Sequence, residues 1–119
     1  MATIMLVDDI AFIKLVQKEV LEKEGYEIVA DASDGVDAIE KYKKFKPDVV
    51  IMDITMPKLD GINAIKSILQ IDPNARIVVC SALGQHQLVI DAIKAGAKDF
   101  VIKPFEPQRL ALAIKKALK

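Results

Sequence analysis

The fold of this chain is decided by the stretch Asp48-Val49-Val50-Ile51-Met52-Asp53. The four residues between the two aspartates are all apolar, and three of them are Val or Ile. A short run without polar alternation is typical of a strand buried on both faces, as in a parallel sheet covered by helices. Pro57 and Gly61 mark a loop directly after this strand. Ligands and chemistry gather beyond the carboxyl ends of such strands, so Asp53 marks the expected site.

Apolar runs and amphipathic segments alternate five times along the chain, with short connections between them. Strands are predicted at 4–7, 27–31, 48–53, 76–81 and 99–102. A helix is predicted after each strand. This alternation predicts a single α/β domain over residues 1–119, with a five-stranded parallel sheet wrapped by helices on both faces.

Apolar residues at a spacing near 3.6 predict which face of each helix packs on the sheet. In the first helix these residues are Phe12, Ile13, Val16, Val20 and Leu21. In the fourth helix they are Val89, Ala92 and Ile93, and Leu88 and Ile90 widen the apolar face on its flanks. The wider face is compatible with ordinary burial and with a surface for a partner protein.

Composition and charge exclude several classes of protein. The chain has 119 residues, of which 52% are hydrophobic, enough for one folded domain. Lys plus Arg and Asp plus Glu both number 17, so no basic field for nucleic acid is expected. No apolar run approaches the roughly 18 residues of a membrane span, and the short segment before the first run leaves no room for a signal peptide. The single Cys permits no internal disulfide, which fits the reducing cytoplasm, and we also expect the domain to be a monomer.

Polar residues stand at the predicted carboxyl ends of four strands. They are Asp8 and Asp9, Asp53, Ser81 and Lys103. Each of them alone is typical of a cap, a turn or a solvated surface position. If the four strands lie side by side, three carboxylates, a hydroxyl and an ammonium converge at one edge, and that coincidence indicates a functional site.

Clustered carboxylates at this edge indicate a cation site. Two unit charges ~4 Å apart repel by on the order of 4 kcal/mol at an effective dielectric near 20, and a raised pKa or a bound cation relieves the repulsion. Oxygen ligands of this kind suit Mg²⁺, which readily shares its coordination with phosphate. Asp53 can then act as a nucleophile and form an acyl phosphate, with Lys103 and Ser81 contacting the phosphoryl oxygens.

Motifs along the whole chain resemble the receiver domain of bacterial response regulators. They are Val7-Asp8-Asp9, Met52-Asp53-Ile54-Thr55-Met56-Pro57 with Asp60-Gly61, Ser81-Ala82, Ala95-Gly96-Ala97 and Lys103-Pro104-Phe105. The resemblance is strongest to the single-domain chemotaxis regulators of the CheY type. It implies a flavodoxin-like, doubly wound (βα)5 fold with strand order 2-1-3-4-5, an order known for such domains and not read from the spacing.

The resemblance also implies the chemistry. Asp53 is expected to accept a phosphoryl group from a histidine kinase of the chemotaxis type. The implied Mg²⁺ ligands are Asp8, Asp9, Asp53 and the backbone carbonyl of Thr55, and the implied phosphoryl ligands are Ser81 and Lys103. The chain would assist its own phosphorylation and dephosphorylation without being an enzyme in the usual sense. The Lys103–Pro104 peptide bond is expected to be cis.

A switch and an output surface follow from the same resemblance. Ser81 is expected to move toward the phosphoryl group and to vacate space that Phe100 then fills. Chemotaxis members often carry Tyr at this position, whereas Phe100 lacks the hydroxyl and would report through its rotamer and packing alone. The implied partner face combines the fourth helix, the fifth strand and the fifth helix, with Ile90, Lys94 and Phe100 near its centre. A flagellar motor switch protein or another target would bind there, and a phosphatase is a further expected class of partner.

Other functions remain open at this point. A phosphorelay intermediate, or a receiver excised from a larger regulator, would share every motif. A phosphohydrolase with an Asp nucleophile is less favoured, because such enzymes commonly carry a second acid two residues after the nucleophile, where this chain has Thr55. A flavin or nucleotide binder is disfavoured because the patterns GxGxxG and GxxxxGKS/T are absent from the sequence.

Overall fold

The computed structural model describes residues 2–54, 56 and 60–119. Within them, five strands alternate with five helices, as the sequence predicts. The strands are β1 (Thr3–Val7), β2 (Glu27–Ala32), β3 (Val49–Asp53), β4 (Ile77–Ala82) and β5 (Asp99–Lys103). The helices are α1 (Ala11–Lys23), α2 (Gly35–Phe45), α3 (Gly61–Ile71), α4 (His86–Ala95) and α5 (Pro107–Ala117). No helix within these residues has the length and apolar character needed to cross a membrane.

The five strands form one parallel sheet in the order β2-β1-β3-β4-β5. This order and the flavodoxin-like architecture confirm the predicted fold class. β3 is the central strand, and all of its residues are buried because helices cover both faces of the sheet. Val7 lies opposite Met52 and Asp53 lies opposite Cys80, so the ends of β1, β3 and β4 emerge at the same edge.

Successive side chains of β3 enter two separate cores. Val50 and Met52 pack in a layer with α2, α3 and α4. Val49 and Ile51 pack in the opposite layer with α1 and α5. The lack of polar alternation in this strand therefore has a direct cause, since side chains on both of its faces meet apolar helices.

The face that α1 turns toward the sheet differs from the predicted one. Phe12 is 68% exposed, so its assignment to the inner stripe is wrong, whereas Lys14, Gln17 and Leu21 are buried. The Lys14 ammonium donates a hydrogen bond to the Ala32 carbonyl at 3.4 Å. Gln17 Nε2 donates a hydrogen bond to the buried Cys80 Sγ on β4 at 3.6 Å. The hydrogen bonds of Lys14 help this face to accommodate a polar residue, whereas Gln17 is satisfied only in part, because its Oε1 is buried with no hydrogen-bond partner among the described residues.

The buried face of α4 is also rotated from the prediction. Ala92 is buried and Val89 is partly buried, as expected, but Ile93 is 42% exposed and its assignment to the inner stripe is wrong. Leu88, assigned to a flank, packs against the core instead. The reason is that α4 packs against α3 as well as against the sheet, which turns the helix about its axis.

Gly61 lets α3 begin directly against the end of β3. Asp60 caps the helix, and its carboxylate accepts a hydrogen bond from the Asn63 N–H at 2.9 Å. A Cβ on Gly61 would lie 2.5 Å from the Ile54 Cα and would also clash with the Asp53 carbonyl. Because both obstacles are backbone atoms, only glycine fits this approach.

Gly61→Ala is expected to lower the free energy of unfolding by about 3 kcal/mol, because overpacking against backbone forces the strand end and the helix apart. Denaturant titration would measure the loss. Gly25→Ala is the matched control, since Gly25 has a φ of +89° but open space around its Cβ position, and strain alone should cost about 1 kcal/mol there. Equal losses in the two variants would contradict the proposed close approach.

Candidate functional site

Three carboxylates meet at the carboxyl edge of the sheet. Asp8 and Asp9 follow β1, and Asp53 ends β3, the neighbouring strand. Each offers an oxygen that lies within 4.8 Å of the others. Asp8 and Asp53 are buried and Asp9 is exposed, so the cluster has one side open to solvent. The parallel register brings Asp53 next to Asp8 and Asp9, although Asp53 lies 44 residues after Asp9 in the sequence.

Asp8 is held in place by three hydrogen bonds. Its backbone N–H donates to the Ala32 carbonyl at 3.1 Å, which ties the end of β1 to the end of β2. Its Oδ1 accepts from the Ile10 N–H at 2.9 Å, and its Oδ2 accepts from Lys103 Nζ at 2.7 Å. A carboxylate fixed at both oxygens is preorganised to present its charge to the cluster.

The Lys103 ammonium lies between two buried carboxylates. Its Nζ is 2.7 Å from Asp8 Oδ2 and 3.6 Å from Asp53 Oδ2. Burial acts to lower the pKa of Lys103, but the hydrogen bond that its ammonium donates to Asp8 and the negative charges of Asp53 and Asp8 outweigh burial, so the pKa lies above its ordinary value. Lys103 therefore stays charged at neutral pH and offsets part of the carboxylate repulsion.

Ser81 places a hydroxyl beside this cluster. It follows Cys80, the residue of β4 that lies opposite Asp53. Its Oγ is fully buried and has no hydrogen-bond partner among the residues that the structure describes. A buried hydroxyl without a partner lowers the free energy of unfolding by about 1–3 kcal/mol, and a polar group that reached this hydroxyl would relieve that cost.

Lys14 is a buried lysine near the site that was not predicted from the sequence. Its Nζ contacts the Ser33 hydroxyl at 3.0 Å and the same Ala32 carbonyl that accepts the Asp8 N–H. It therefore links α1 to the loop that supports the acidic cluster. The signal in the sequence was the spacing of Lys14, Gln17 and Leu21, which share one helical face.

The donor set fits a hard divalent cation. Three carboxylates face one ammonium, so the cluster of Asp8, Asp9, Asp53 and Lys103 carries an excess of negative charge. Carboxylate oxygens are the ligands that such cations prefer, and the exposed side at Asp9 leaves room for water or phosphate oxygens. Thr55, whose carbonyl the sequence adds to this set, lies outside the described residues.

The predicted partner-face residues lie at the surface beside the site. Ile90 is 47% exposed on α4, Phe100 is 37% exposed on β5, and Lys94 is exposed one turn after Ile90. Ile90 and Phe100 line one groove of about 340 Å³ together with the loop after β4. Arg109 on α5 places its guanidinium 5.9 Å from the centre of the Phe100 ring and ion-pairs with Asp99 at 3.2 Å. This contact, which joins β5 to α5, was not foreseen from the sequence.

Two further details bear on residues next to the site. The Lys103–Pro104 bond is cis, which confirms the expectation. Burial raises the pKa of the Cys80 thiol to about 12, so Cys80 is a protonated, inert core residue at neutral pH.

Comparison with known proteins agrees with this architecture. The family described as "Response regulator receiver domain" matches residues 4–115. The chain belongs to this family, and it is a receiver domain of a two-component system.

Its relatives include chemotaxis regulators. The chain is 55% identical to "Chemotaxis protein CheY" of Thermotoga maritima, over 98% of this chain and 97% of that protein. It is 56% identical to "Chemotaxis protein CheY" of Bacillus subtilis, over 97% of this chain and 96% of that protein. Among solved structures, one of a CheX-CheY-BeF3-Mg²⁺ complex from Borrelia burgdorferi superposes with a TM-score of 0.94 at 37% identity, covering 99% of this chain and 90% of that one.

Lys103→Met is expected to lower the free energy of unfolding by about 3 kcal/mol at pH 7, because it leaves Asp8 and Asp53 buried without their cation. Added Mg²⁺ should restore part of the loss, because the ion would supply positive charge to the same carboxylates. Denaturant titrations with and without Mg²⁺ would measure these changes. Lys98→Met, at an exposed lysine just before β5, is the control and should be neutral within about 0.5 kcal/mol.

The raised pKa of Lys103 determines how its contribution to the free energy of unfolding changes at alkaline pH. The native state holds this proton more tightly than the unfolded chain does. Its stabilising contribution is therefore fully present below the unfolded pKa of about 10.4 and is lost as the pH rises through the native value. A wild-type protein that was no more stable than Lys103→Met at pH 7 would contradict this assignment.

Proposed function

We propose that this receiver domain accepts a phosphoryl group on Asp53 from a histidine kinase of the chemotaxis type. The observation that carries the proposal is the meeting of Asp53 with Asp8, Asp9 and Lys103 at one edge of the sheet. Asp53 is only 4% exposed, yet it adjoins the open side of the cluster at Asp9. A carboxylate in such a position can be reached by a phosphoryl group and is flanked by the charges that the transfer requires.

Mg²⁺ is the proposed metal ion, held by Asp8, Asp9, Asp53 and the carbonyl of Thr55. The chemistry of the carboxylate oxygens supports this choice, since Mg²⁺ binds through a few carboxylates and completes its shell with water and phosphate. Once bound, the ion would neutralise negative charge on the phosphoryl group during transfer.

The residues of the chain supply the remaining steps. An Asp53 carboxylate oxygen forms a bond to phosphorus while the phosphorus–nitrogen bond of the kinase phosphohistidine breaks, and the imidazole regains a proton from solvent. The Lys103 ammonium, already 3.6 Å from Asp53, pairs with one phosphoryl oxygen. The Ser81 hydroxyl, which has no partner among the described residues, donates to another. Attack of water on the same acyl phosphate, with these groups in place, would account for self-assisted dephosphorylation.

The proposed output is a change at the face formed by α4, β5 and α5. Movement of Ser81 toward the phosphoryl group would open space for Phe100, which lines the adjoining groove. Because Phe100 lacks a hydroxyl, its signal would be steric, and its contact with Arg109 would change with the ring position. Ile90, Lys94 and Phe100 would then bind the target.

The flagellar motor switch protein is the proposed target, and the high identity to chemotaxis regulators over nearly the whole chain supports it. A phosphatase is proposed as a second partner, because the similar structure from Borrelia burgdorferi pairs its CheY with CheX. We also propose that residues 1–119 form a monomeric domain that acts in the cytoplasm. The proposed function does not involve nucleic acid, which agrees with the net charge of zero.

Incubation with acetyl phosphate and Mg²⁺ should add one phosphoryl group to wild-type protein and none to Asp53→Ala, because the substitution removes the proposed acceptor carboxylate while Asp8 has both carboxylate oxygens engaged by the Ile10 N–H and Lys103. Intact-mass spectrometry would detect the adduct, and its lability to base would identify an acyl phosphate. Asp60→Ala, which removes an exposed helix cap seven residues later, is the matched control and should still be labelled. Labelling of Asp53→Ala would overturn the assignment of the acceptor.

Ile90→Asp should abolish phosphorylation-dependent binding of the flagellar motor switch protein, because it puts a charge into the apolar groove of the partner face. Labelling of Asp53 should be unchanged. Binding titrations in beryllofluoride and Mg²⁺ would measure the affinity. Ile71→Asp makes the same change at a similarly exposed isoleucine at the end of α3, and it should bind as wild type does. Loss of Asp53 labelling in Ile90→Asp would argue against a pure surface role.

A further inference from the structure

Gln85 makes an unusual contact in the loop between β4 and α4. It is the N-cap residue of α4, but its side chain caps no helical N–H. Instead, its Oε1 reaches back across the loop and accepts a hydrogen bond from the Ala82 N–H at 2.7 Å. The side chain therefore connects the start of α4 to the last residue of β4.

The direction of the Ala82 N–H follows from the pairing of β4. Cys80 turns its peptide group toward β3, since its carbonyl accepts from the Ile54 N–H at 3.3 Å. Ile77 turns toward β5, where its carbonyl accepts from the Lys98 N–H at 2.7 Å. Because alternate residues of a parallel strand address the same neighbour, Ala82 turns its N–H to the β3 side, as Cys80 does. Asp53 ends β3 on that side.

A phosphoryl group on Asp53 would bring three acceptor oxygens to this place. Two donors follow Cys80, the β4 residue opposite Asp53: the hydroxyl of Ser81, which has no partner among the described residues, and the N–H of Ala82, which Gln85 occupies. Hydrogen bonds to an ionised acceptor are roughly twice as strong as those to a neutral amide. The exchange of Gln85 for a phosphoryl oxygen is therefore favoured.

We propose that Gln85 is a latch, a positioning residue that holds the Ala82 N–H in the unphosphorylated protein and yields it to the phosphoryl group. This inference rests on the proposed acceptor role of Asp53. Release of the side chain frees the first residue before α4 and thereby couples the chemistry to that helix. Gln85 lines the same groove as Ile90 and Phe100, so its departure also changes the shape of the partner face.

The loop has the properties that a latch requires. Leu83 is largely exposed, and the Cβ position of Gly84, with φ of +89°, has no atom within 4 Å. Few packing contacts therefore oppose movement of the loop once the Gln85 bond is lost. The competing explanation is that Gln85 only stabilises a local turn, and the two explanations predict opposite effects on binding of a phosphoryl mimic.

The test compares Gln85→Ala with Gln87→Ala. The control removes the same side chain two residues later, where Gln87 bonds Asp91 at 2.9 Å on the exposed face of α4. Each protein is titrated with beryllofluoride in the presence of Mg²⁺, and the Ala82 amide is followed by nitrogen–proton NMR. Without the competing Gln85 oxygen, Gln85→Ala should bind beryllofluoride about five-fold more tightly, and Gln87→Ala should match wild type.

The NMR signal separates the latch from a structural role. In free wild-type protein the Ala82 proton should show the shift of a hydrogen-bonded amide, and in free Gln85→Ala it should lose that shift and regain it when beryllofluoride binds. Gln85→Glu should bind beryllofluoride more weakly than wild type, because a carboxylate holds the N–H more strongly and repels the mimic. The two Gln85 variants are thus expected to change in opposite directions.

Equal or weaker beryllofluoride binding by Gln85→Ala, with the protein folded, would overturn the latch. An Ala82 amide that does not respond to beryllofluoride in wild type would overturn it as well. Acetyl phosphate labelling of Asp53, run in parallel, distinguishes these results from failure of the proposed function. A normal adduct with unchanged affinities rejects the latch alone, whereas the absence of any adduct in wild type rejects both.

Discussion

The contact of the Lys103 ammonium with Asp8 and Asp53 is the interaction on which this structure depends. The parallel sheet forces the two carboxylates together, because β1 and β3 are neighbours and end at the same level. Their repulsion in a buried position would be costly without a counter-charge. Lys103 comes from β5 and reaches across the end of β4, so its contact with Asp8 ties the edge strand to the centre of the sheet. The ion pair thus links separate strands and also partly neutralises the negative charge of the site.

Residues around the acidic cluster hold its carboxylates in position. Lys14 supports the Ala32 carbonyl that fixes Asp8, and Gly61 removes a side chain where α3 meets the end of β3. Lys14 and Gly61 lie outside the cluster of Asp8, Asp9, Asp53 and Lys103, yet they help to hold its carboxylates in place. Such rigidity would favour the proposed phosphoryl transfer, because donors already in place need no reorganisation.

The loop after β4 and the helix α4, which lie between this edge and the proposed partner face, are packed less tightly than the central strand β3. The loop after β4 carries Gly84 and an exposed Leu83, while α4 has only Ala92 fully buried. Phe100 is partly exposed at the surface, and the Arg109 guanidinium lies 5.9 Å from the centre of its ring. A tightly held site beside a less tightly packed helix suits the proposed switch, because a local change of charge can then shift the helix without unfolding the core.

The sequence by itself determined the five strands and the parallel sheet, because each apolar run marks a segment that is buried. It also determined the edge at which Asp8, Asp53 and Lys103 stand, because a polar residue after an apolar run marks the point where the strand leaves the core. The strand order came from resemblance, because no local pattern encodes which strands become neighbours. Only the tertiary structure decided which way the helices face, so Phe12 and Ile93 were misplaced on buried stripes. It also decided the contacts of Lys14 and Gln85, because a helix or loop is oriented by what it packs against, and that partner is distant in the sequence.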